Sequence, residues 1–317
     1  MNTKKRVKIS IGVRSYNEEG NIQKAYEEIK AVAESMHQYD YEIVFADNAS
    51  TDKTPEILRE IAAEDKERVR VILNSANFGV ERSEIHLEDN ISGDVYIFVP
   101  ADLQEPIEML PEFMKYWEEG YKVVWGQKTE SDENPVKYSA RKLYYKIIDS
   151  FSDYQQFHQV DCFGITDKSV LEMFKETRKQ DSEVNLRNLV AEYGIKTKLL
   201  PYKQRKREWG KSSYSIGKYF EFALASLCNT STKPLLMMIV AGMVTGLLSF
   251  LGGFVYLIWK LTHWYSFQMG MAPMIISLLF IGGVQLFCIG MLGEYISILL
   301  RKVMRKPQVT EKERINF

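Results

Sequence analysis

Over its first 126 residues the chain alternates short apolar runs with longer stretches whose apolar residues recur at helical spacing. Val7 to Val13 reads as a buried strand, and the polar cluster Arg14-Ser-Tyr-Asn-Glu-Glu-Gly20 at its end leads into a helix over about Asn21 to Met36. Tyr41 to Ala46 is a second strand, Asp47-Asn-Ala-Ser-Thr-Asp52 a polar turn, and Pro55 to Asp65 a helix with proline in its first turn. The unit then repeats, with strands at Val69 to Leu73, Val95 to Val99 and Lys122 to Gly126 and helices at Gly79 to Ile91 and Pro106 to Glu119. This alternation predicts an α/β fold, a mostly parallel sheet with helices on both faces. Its ligands bind beyond the carboxyl ends of the strands, where the polar clusters fall.

After Lys233 the pattern changes. Leu235 to Trp259 and Met269 to Gly293 are charge-free, with only Thr245, Ser249, Ser277 and Gln285 as polar breaks. At about 1.5 Å rise per residue, either run can cross a hydrocarbon layer of about 30 Å. A pair of buried helices in a soluble core is the other reading, but such helices carry a polar stripe, and these do not. The connection from Lys260 to Gln268 carries His263, Trp264 and Tyr265, which suits an interfacial turn, so the two spans form a hairpin. Lys211, Lys218 and Lys233 precede it and Arg301, Lys302, Arg305 and Lys306 follow, which orients both termini and the large N-terminal part to the cytoplasm of an inner membrane. Residues 1 to 10 lack the apolar region of a secretory signal. Tyr214 to about Lys233, with Tyr219, Phe220 and Phe222, reads as a helix lying in the membrane interface, and the polar tail after Pro307 as flexible. Gly242, Gly246 and Gly252-Gly253 would permit close helix contacts in a homo-oligomer.

Charge narrows the functions. The 317 residues carry 41 Lys+Arg against 42 Asp+Glu, a net charge of −1, which argues against nucleic-acid binding driven by overall charge. Cys162, Cys228 and Cys288 are widely spaced, giving neither a disulfide framework nor a structural zinc site. No glycine-rich dinucleotide fingerprint follows the first strand and no P-loop is present, so any nucleotide must be held differently.

Five strings occur in one order: Tyr16-Asn17-Glu18-Glu19, Asp47-Asn-Ala-Ser-Thr-Asp52, Asn77-Phe-Gly79, Ala101-Asp-Leu-Gln104-Glu-Pro106 and Gly293-Glu-Tyr295. Together, over nearly the whole chain, they resemble glycosyltransferase family 2, specifically its polyprenyl-phosphate glycosyltransferases, which include dolichyl-phosphate mannose synthase and the bactoprenol glucosyltransferases. The resemblance implies a GT-A, Rossmann-like fold. It implies inverting transfer of a sugar from a nucleotide-diphosphate sugar, the UDP type favoured, to a polyprenyl phosphate in the membrane for cell-envelope glycans.

Candidate residues follow from it. Tyr16 suits a stacking platform for a base, with Arg14, Glu18, Asp47, Asn48, Ala101 and Lys128 completing the nucleotide-sugar site. The family has proline at position 14 and an acidic residue at position 48, and this chain departs from it at both. The family's Asp-x-Asp-x-Gln element, which binds Mg²⁺ or Mn²⁺, has Pro100 in first place here, leaving Asp102 and Gln104 as metal ligands. Asp161, before Cys162-Phe-Gly-Ile165, matches the acidic residue that would orient the acceptor phosphate or take its residual proton. From Lys196 to Lys218 the chain has eight Lys+Arg and one acidic residue. Within that segment Arg207, Lys211 and Ser212, with Arg141 elsewhere, are the candidate grips for acceptor phosphate. Two alternatives stand beside this reading. One is a non-catalytic membrane scaffold retaining the fold, motivated by Pro100 and Asn48; the other is a polysaccharide synthase, which would need more spans and a Gln-x-x-Arg-Trp element that is missing.

Overall fold

The computed structural model describes residues 6–130, 149–150, 152, 154–181, 184–205, 233–262, 271–303 and 309–317. The chain divides into two compact units. One comprises Met1–Lys142, Tyr154–Ser213 and Arg305–Phe317, the other Leu143–Asp153 and Tyr214–Met304.

The first unit is built on eight strands: β1 (Lys8–Ser15), β2 (Asp40–Asp47), β3 (Val69–Asn74), β4 (Val95–Pro100), β5 (Val123–Glu130), β6 (Gly164–Asp167), β7 (Thr197–Lys203) and β8 (Glu311–Ile315). Its helices are α1 (Ile22–Ser35), α2 (Thr54–Glu64), α3 (Val80–Asp89), α4 (Leu110–Glu118), α5 (Lys168–Gln180) and α6 (Leu186–Glu192). Every element expected up to Gly126 is present. Pro55 falls in the first turn of α2, where its missing N–H costs nothing. Asp167 caps α5 by accepting from the Ser169 N–H at 3.0 Å, and Asn185 caps α6 by accepting from Arg187 N–H at 3.0 Å.

The strands form one sheet in the order β7-β5-β6-β4-β1-β2-β3-β8. It is mixed rather than mostly parallel. The β1–β2, β1–β4, β2–β3 and β5–β7 pairs are parallel, and the β3–β8, β4–β6 and β5–β6 pairs antiparallel. β6 enters antiparallel between β4 and β5, and only glycine fits its first position: Gly164 has φ +131°, and a Cβ there would lie 2.3 Å from the Val124 carbonyl oxygen.

Side chains alternate across the sheet. Ile9, Ile11, Val13, Ile43, Phe45, Val95, Ile97 and Val99 face α1, α2 and α4 in the main core. Tyr96, Phe98, Val123 and Trp125 pack with α5 and α6, while Val44, Ala46 and Ile72 pack with Leu87 of α3. With helices on both faces, the inner strands are apolar on both sides, which is why they read as continuous apolar runs.

Two features of the sequence reading change. The tail after Pro307 is not flexible throughout, because Glu311–Ile315 is the edge strand β8. The basic segment from Lys196 begins as β7, a strand of the sheet, with the Lys196 and Lys198 ammonium groups 4.4 and 5.1 Å from the ring centres of Tyr121 and Tyr116.

The second unit contains α7 (Lys233–Thr262) and α8 (Met271–Val303). Segments long and apolar enough to cross a membrane run from Lys233 to Val255 and from Phe280 to Leu300. In the most apolar stretches, none of the first and 6% of the second is buried, so these are not core helices of a soluble domain. α8 continues ten residues past the expected end, taking Glu294 into the helix. The expected interfacial helix and the His263-Trp264-Tyr265 turn lie outside the described residues.

Candidate active site

The topological switch point lies at β1. From it the chain proceeds through β2 and β3 on one side, while β4 pairs with β1 on the other, which opens a crevice at the carboxyl ends of these strands. Register brings the separate polar clusters together there: Ser15 is opposite Asp47, and Arg14 is opposite both Ala46 and Pro100. Beyond the last paired residues, Asn48 N–H donates to the Ser15 carbonyl at 3.0 Å and Ala101 N–H to the Arg14 carbonyl at 3.3 Å.

Six described non-glycine residues have positive φ. Five of them, Asn17, Ala49, Leu103, Gln159 and Cys162, sit in the loops that carry Tyr16, Asn48, Asp102 and Asp161. Backbone strain of this kind persists only where surrounding structure enforces it, and here it gathers at the end of the sheet that bears the polar clusters.

On the β1–β2 side the polar groups are largely satisfied by one another. The Asn17 side-chain oxygen accepts from Thr51 N–H at 2.8 Å, and Asn17 N–H donates to Ser50 Oγ at 2.8 Å. Asp47 is buried, accepts from Ser50 N–H at 2.8 Å and from Ser15 Oγ at 3.3 Å, and has its pKa raised by burial. Asn48 uses all four of its hydrogen-bonding positions: its amide donates to Asn77 Oδ1 and Gly79 O at 2.9 and 3.2 Å, and its oxygen accepts from Phe78 N and Asn74 Nδ2 at 3.0 and 3.3 Å. Asn48 therefore shapes the loop. Glu18 is also buried and accepts from Asn21 Nδ2 at 2.7 Å, whereas the Tyr16 ring is 40% exposed beside these loops.

The β4–β5 side carries charge. Lys128 on β5 donates to the Asp161 carboxylate and lies 3.7 Å from Glu105 Oε1. Burial acts to lower the Lys128 pKa, but Asp161, Glu105 and Asp102 outweigh it and hold the group cationic. Glu105 is 4% exposed. One of its oxygens accepts from Gln204 Nε2 at 3.3 Å and Tyr202 Oη at 3.5 Å, and the other has no hydrogen-bond partner. Burial, reinforced by the nearby Asp102 carboxylate and opposed by Lys128, pushes its pKa up to about 7. Glu105 is absent from the sequence-derived site, although a carboxylate directly after Gln104 was there to be noticed.

Arg14 turns toward the α3 face, pairs with Glu84 at 2.8 Å and lies 5.4 Å from the centre of the Phe98 ring. Burial raises the Glu84 pKa, against the pull of Arg14. Ala101 is buried and contributes backbone. Arg141, Arg207, Lys211 and Ser212 lie outside the described residues.

For a divalent cation the donor set fits in one respect. Asp102 supplies a carboxylate, and Gln104 donates through Nε2 to the Arg205 carbonyl at 3.3 Å, which leaves its Oε1 as a ligand-capable oxygen. Hard oxygen donors of this kind suit Mg²⁺ or Mn²⁺. Among the described residues no group of three or more His, Cys, Asp or Glu could hold a metal, so the remaining ligands would have to be water and phosphate.

The glycosyl transferase family 2 model matches residues 10–174, just over half the chain. The chain belongs to glycosyltransferase family 2, a class of sugar-transferring enzymes, and its mixed sheet with flanking helices is GT-A-like. A second match, described as the GtrB C-terminal hairpin, covers residues 234–299. The chain is 30% identical to the putative glycosyltransferase CsbB of Bacillus subtilis over 96% of its own length and 91% of that protein's. It is 29% identical to the bactoprenol glucosyl transferase of Shigella phage SfX, covering 97% of this chain and all of that one. Among solved structures, the mannosyltransferase PcManGT from Pyrobaculum calidifontis, in complex with GDP-Man and Mn²⁺, is 15% identical with a TM-score of 0.49, covering 96% of this chain and 89% of that one.

Proposed function

We infer that the protein transfers a sugar, with inversion, from a nucleotide-diphosphate sugar to a polyprenyl phosphate. The observation that carries this reading is the meeting of Tyr16, the Asp47–Asn48 turn, Asp102 and the Lys128–Asp161 pair at one end of the sheet, in a chain that also matches the GtrB hairpin. The bactoprenol glucosyl transferase relatives support the lipid acceptor.

In this reading Tyr16 stacks on the base, and the donor diphosphate extends across the crevice toward Asp102. A divalent cation at Asp102 and Gln104 would neutralise charge on the departing nucleotide. The acceptor needs little activation, because a phosphate monoester has a second pKa of about 6 and is mostly dianionic near neutral pH. The chain's own work is therefore positioning and electrostatics. Lys128 offsets the charge of approaching phosphate while fixing the Asp161 carboxylate, which orients the acceptor or takes its residual proton.

The two long helices would anchor the site to lipid. β8 follows α8 in the chain yet pairs with β3, so the segments flanking the hairpin return to one compact unit. That connectivity supports two crossings with both ends on one side, and the flanking Lys and Arg favour the cytoplasmic side of an inner membrane.

A second reading, a non-catalytic scaffold, is favoured by Pro100 and by the single carboxylate of the candidate metal site. Purified full-length protein incubated with labelled nucleotide sugars, polyprenyl phosphate and Mg²⁺ or Mn²⁺ separates them. Transfer of label into lipid is expected. Nucleotide binding with no lipid product across the whole sugar panel would establish the scaffold.

A further inference from the structure

The strand that follows the hairpin also reaches the site. β8 is fastened to the sheet edge at several points: Arg59 donates to Glu313 at 3.0 and 2.8 Å, Ser75 N–H to the Thr310 carbonyl at 2.9 Å, and Asn316 Nδ2 to the Ala62 and Val69 carbonyls at 2.7 and 3.0 Å. Lys312, between two anchored glutamates, is exposed and makes no ion pair among the described residues.

A cavity of about 100 Å³ opens at the carboxyl ends of β2 and β3, and Asp47, Ser50, Arg59, Asn74 and Lys312 contribute to its lining. Asn74 is 2% exposed. Its amide donates to Asn48 and to Ser83 of α3, so its side chain turns to the α3 face of the sheet, away from Arg59 of α2. Ser50, also in the lining, accepts from the N–H of Asn17, the residue after Tyr16, so the cavity adjoins the Tyr16 loop.

Spacing indicates which part of a donor would lie there. Neighbouring strands are about 4.8 Å apart, so with the order β4-β1-β2-β3 the cavity lies roughly 10–15 Å from the β4 end that carries Asp102. That is the span from a diphosphate to the far edge of its nucleoside.

We propose that β8 forms one wall of the nucleoside half of the donor site. Lys312, at the rim of the cavity, donates to a base carbonyl or ribose oxygen. The inference rests on the nucleotide-sugar reading above and adds that the chain's last strand takes part in choosing the nucleotide. By linkage, a bound donor then also holds β8 against the sheet.

Calorimetric titration of the full-length protein in detergent with UDP, GDP, CDP and ADP, in the presence of Mn²⁺, tests it. Lys312→Ala should weaken the nucleoside diphosphate that binds the wild type by at least fivefold, with unchanged thermal stability. The penalty should be equal for the corresponding monophosphate and should largely disappear in Lys312→Arg. Arg314→Ala, which removes a guanidinium paired with Glu311 and Asn90 outside the cavity lining, should leave affinity unchanged. Wild-type affinity in Lys312→Ala would overturn the proposal alone. An equal penalty with inorganic pyrophosphate would place Lys312 at the diphosphate and overturn the nucleoside assignment. Failure of the wild type to bind any of the four nucleotides would overturn the donor reading and this proposal together.

Discussion

The two sides of the crevice are built on different principles. On the β1–β2 side, Asn17, Asp47 and Asn48 spend their hydrogen-bonding capacity on one another's loops, leaving Tyr16 exposed above a rigid surface. On the β4–β5 side, Asp102, Glu105, Lys128 and Asp161 crowd charges of both signs together, with one Glu105 oxygen unpaired. A satisfied network holds a shape, and shape is what recognition of a base requires. An incompletely compensated charge cluster costs stability, and proteins keep such clusters where charge must be met during a reaction.

Substitutions on the two sides should therefore fail differently. The largest effect is expected from Asp102→Asn, which should lower transfer at least about 100-fold, as loss of a key electrostatic group does, with little change in thermal stability. Labelled-lipid assays and thermal melts check this, and unchanged turnover would remove Asp102 from the metal site. Next, Lys128→Met leaves Glu105 and Asp161 facing each other without a cation. It should lower kcat by about 30-fold, on the order of 2 kcal/mol, with donor KM nearly constant. Tyr16→Ala should show the opposite split, raising donor KM about tenfold through lost stacking while kcat holds. If Tyr16→Ala lowered kcat and left KM alone, the division between a reading side and a reacting side would not stand.

The smallest expected effect concerns the sheet edge. Hydrogen bonds from Arg314 and His86 hold Glu311 below the ordinary carboxylate pKa, and a hydrogen bond from Arg59 does the same for Glu313. A depressed carboxylate contributes stability that is present above its unfolded value near 4.5 and is lost as pH falls through its folded value. Hydrogen exchange of the β8 amides should therefore accelerate, as pH falls below that unfolded value, before that of β1 and β4. Simultaneous loosening of all strands would mean that these pairs do not fasten β8.

The contrast also explains what the sequence could reveal. Strands β1 to β4 were legible because burial on both faces makes them continuous apolar runs, and α2 because Pro55 marks its start. The order β7-β5-β6-β4 was not, since it depends on the return of β6 through Gly164, a contact between distant parts of the chain. β8 reads as a charged tail because Glu311, Glu313 and Arg314 find their partners on α2, α3 and neighbouring residues rather than through an apolar face. At the site, the strand-end clusters predicted which residues would meet. The packing of Asn48 against its own loop depends on Asn74, Asn77 and Phe78, whose approach no local pattern encodes.

In the proposed reaction a lipid phosphate attacks the anomeric carbon of a bound nucleotide sugar directly, in one step. Its most direct test is the anomeric configuration of the lipid product, read by proton NMR after extraction from a reaction with an α-linked donor and polyprenyl phosphate. A β-linked sugar phosphate is expected. An α-linked product, or sugar released to water with the lipid unmodified, would contradict it.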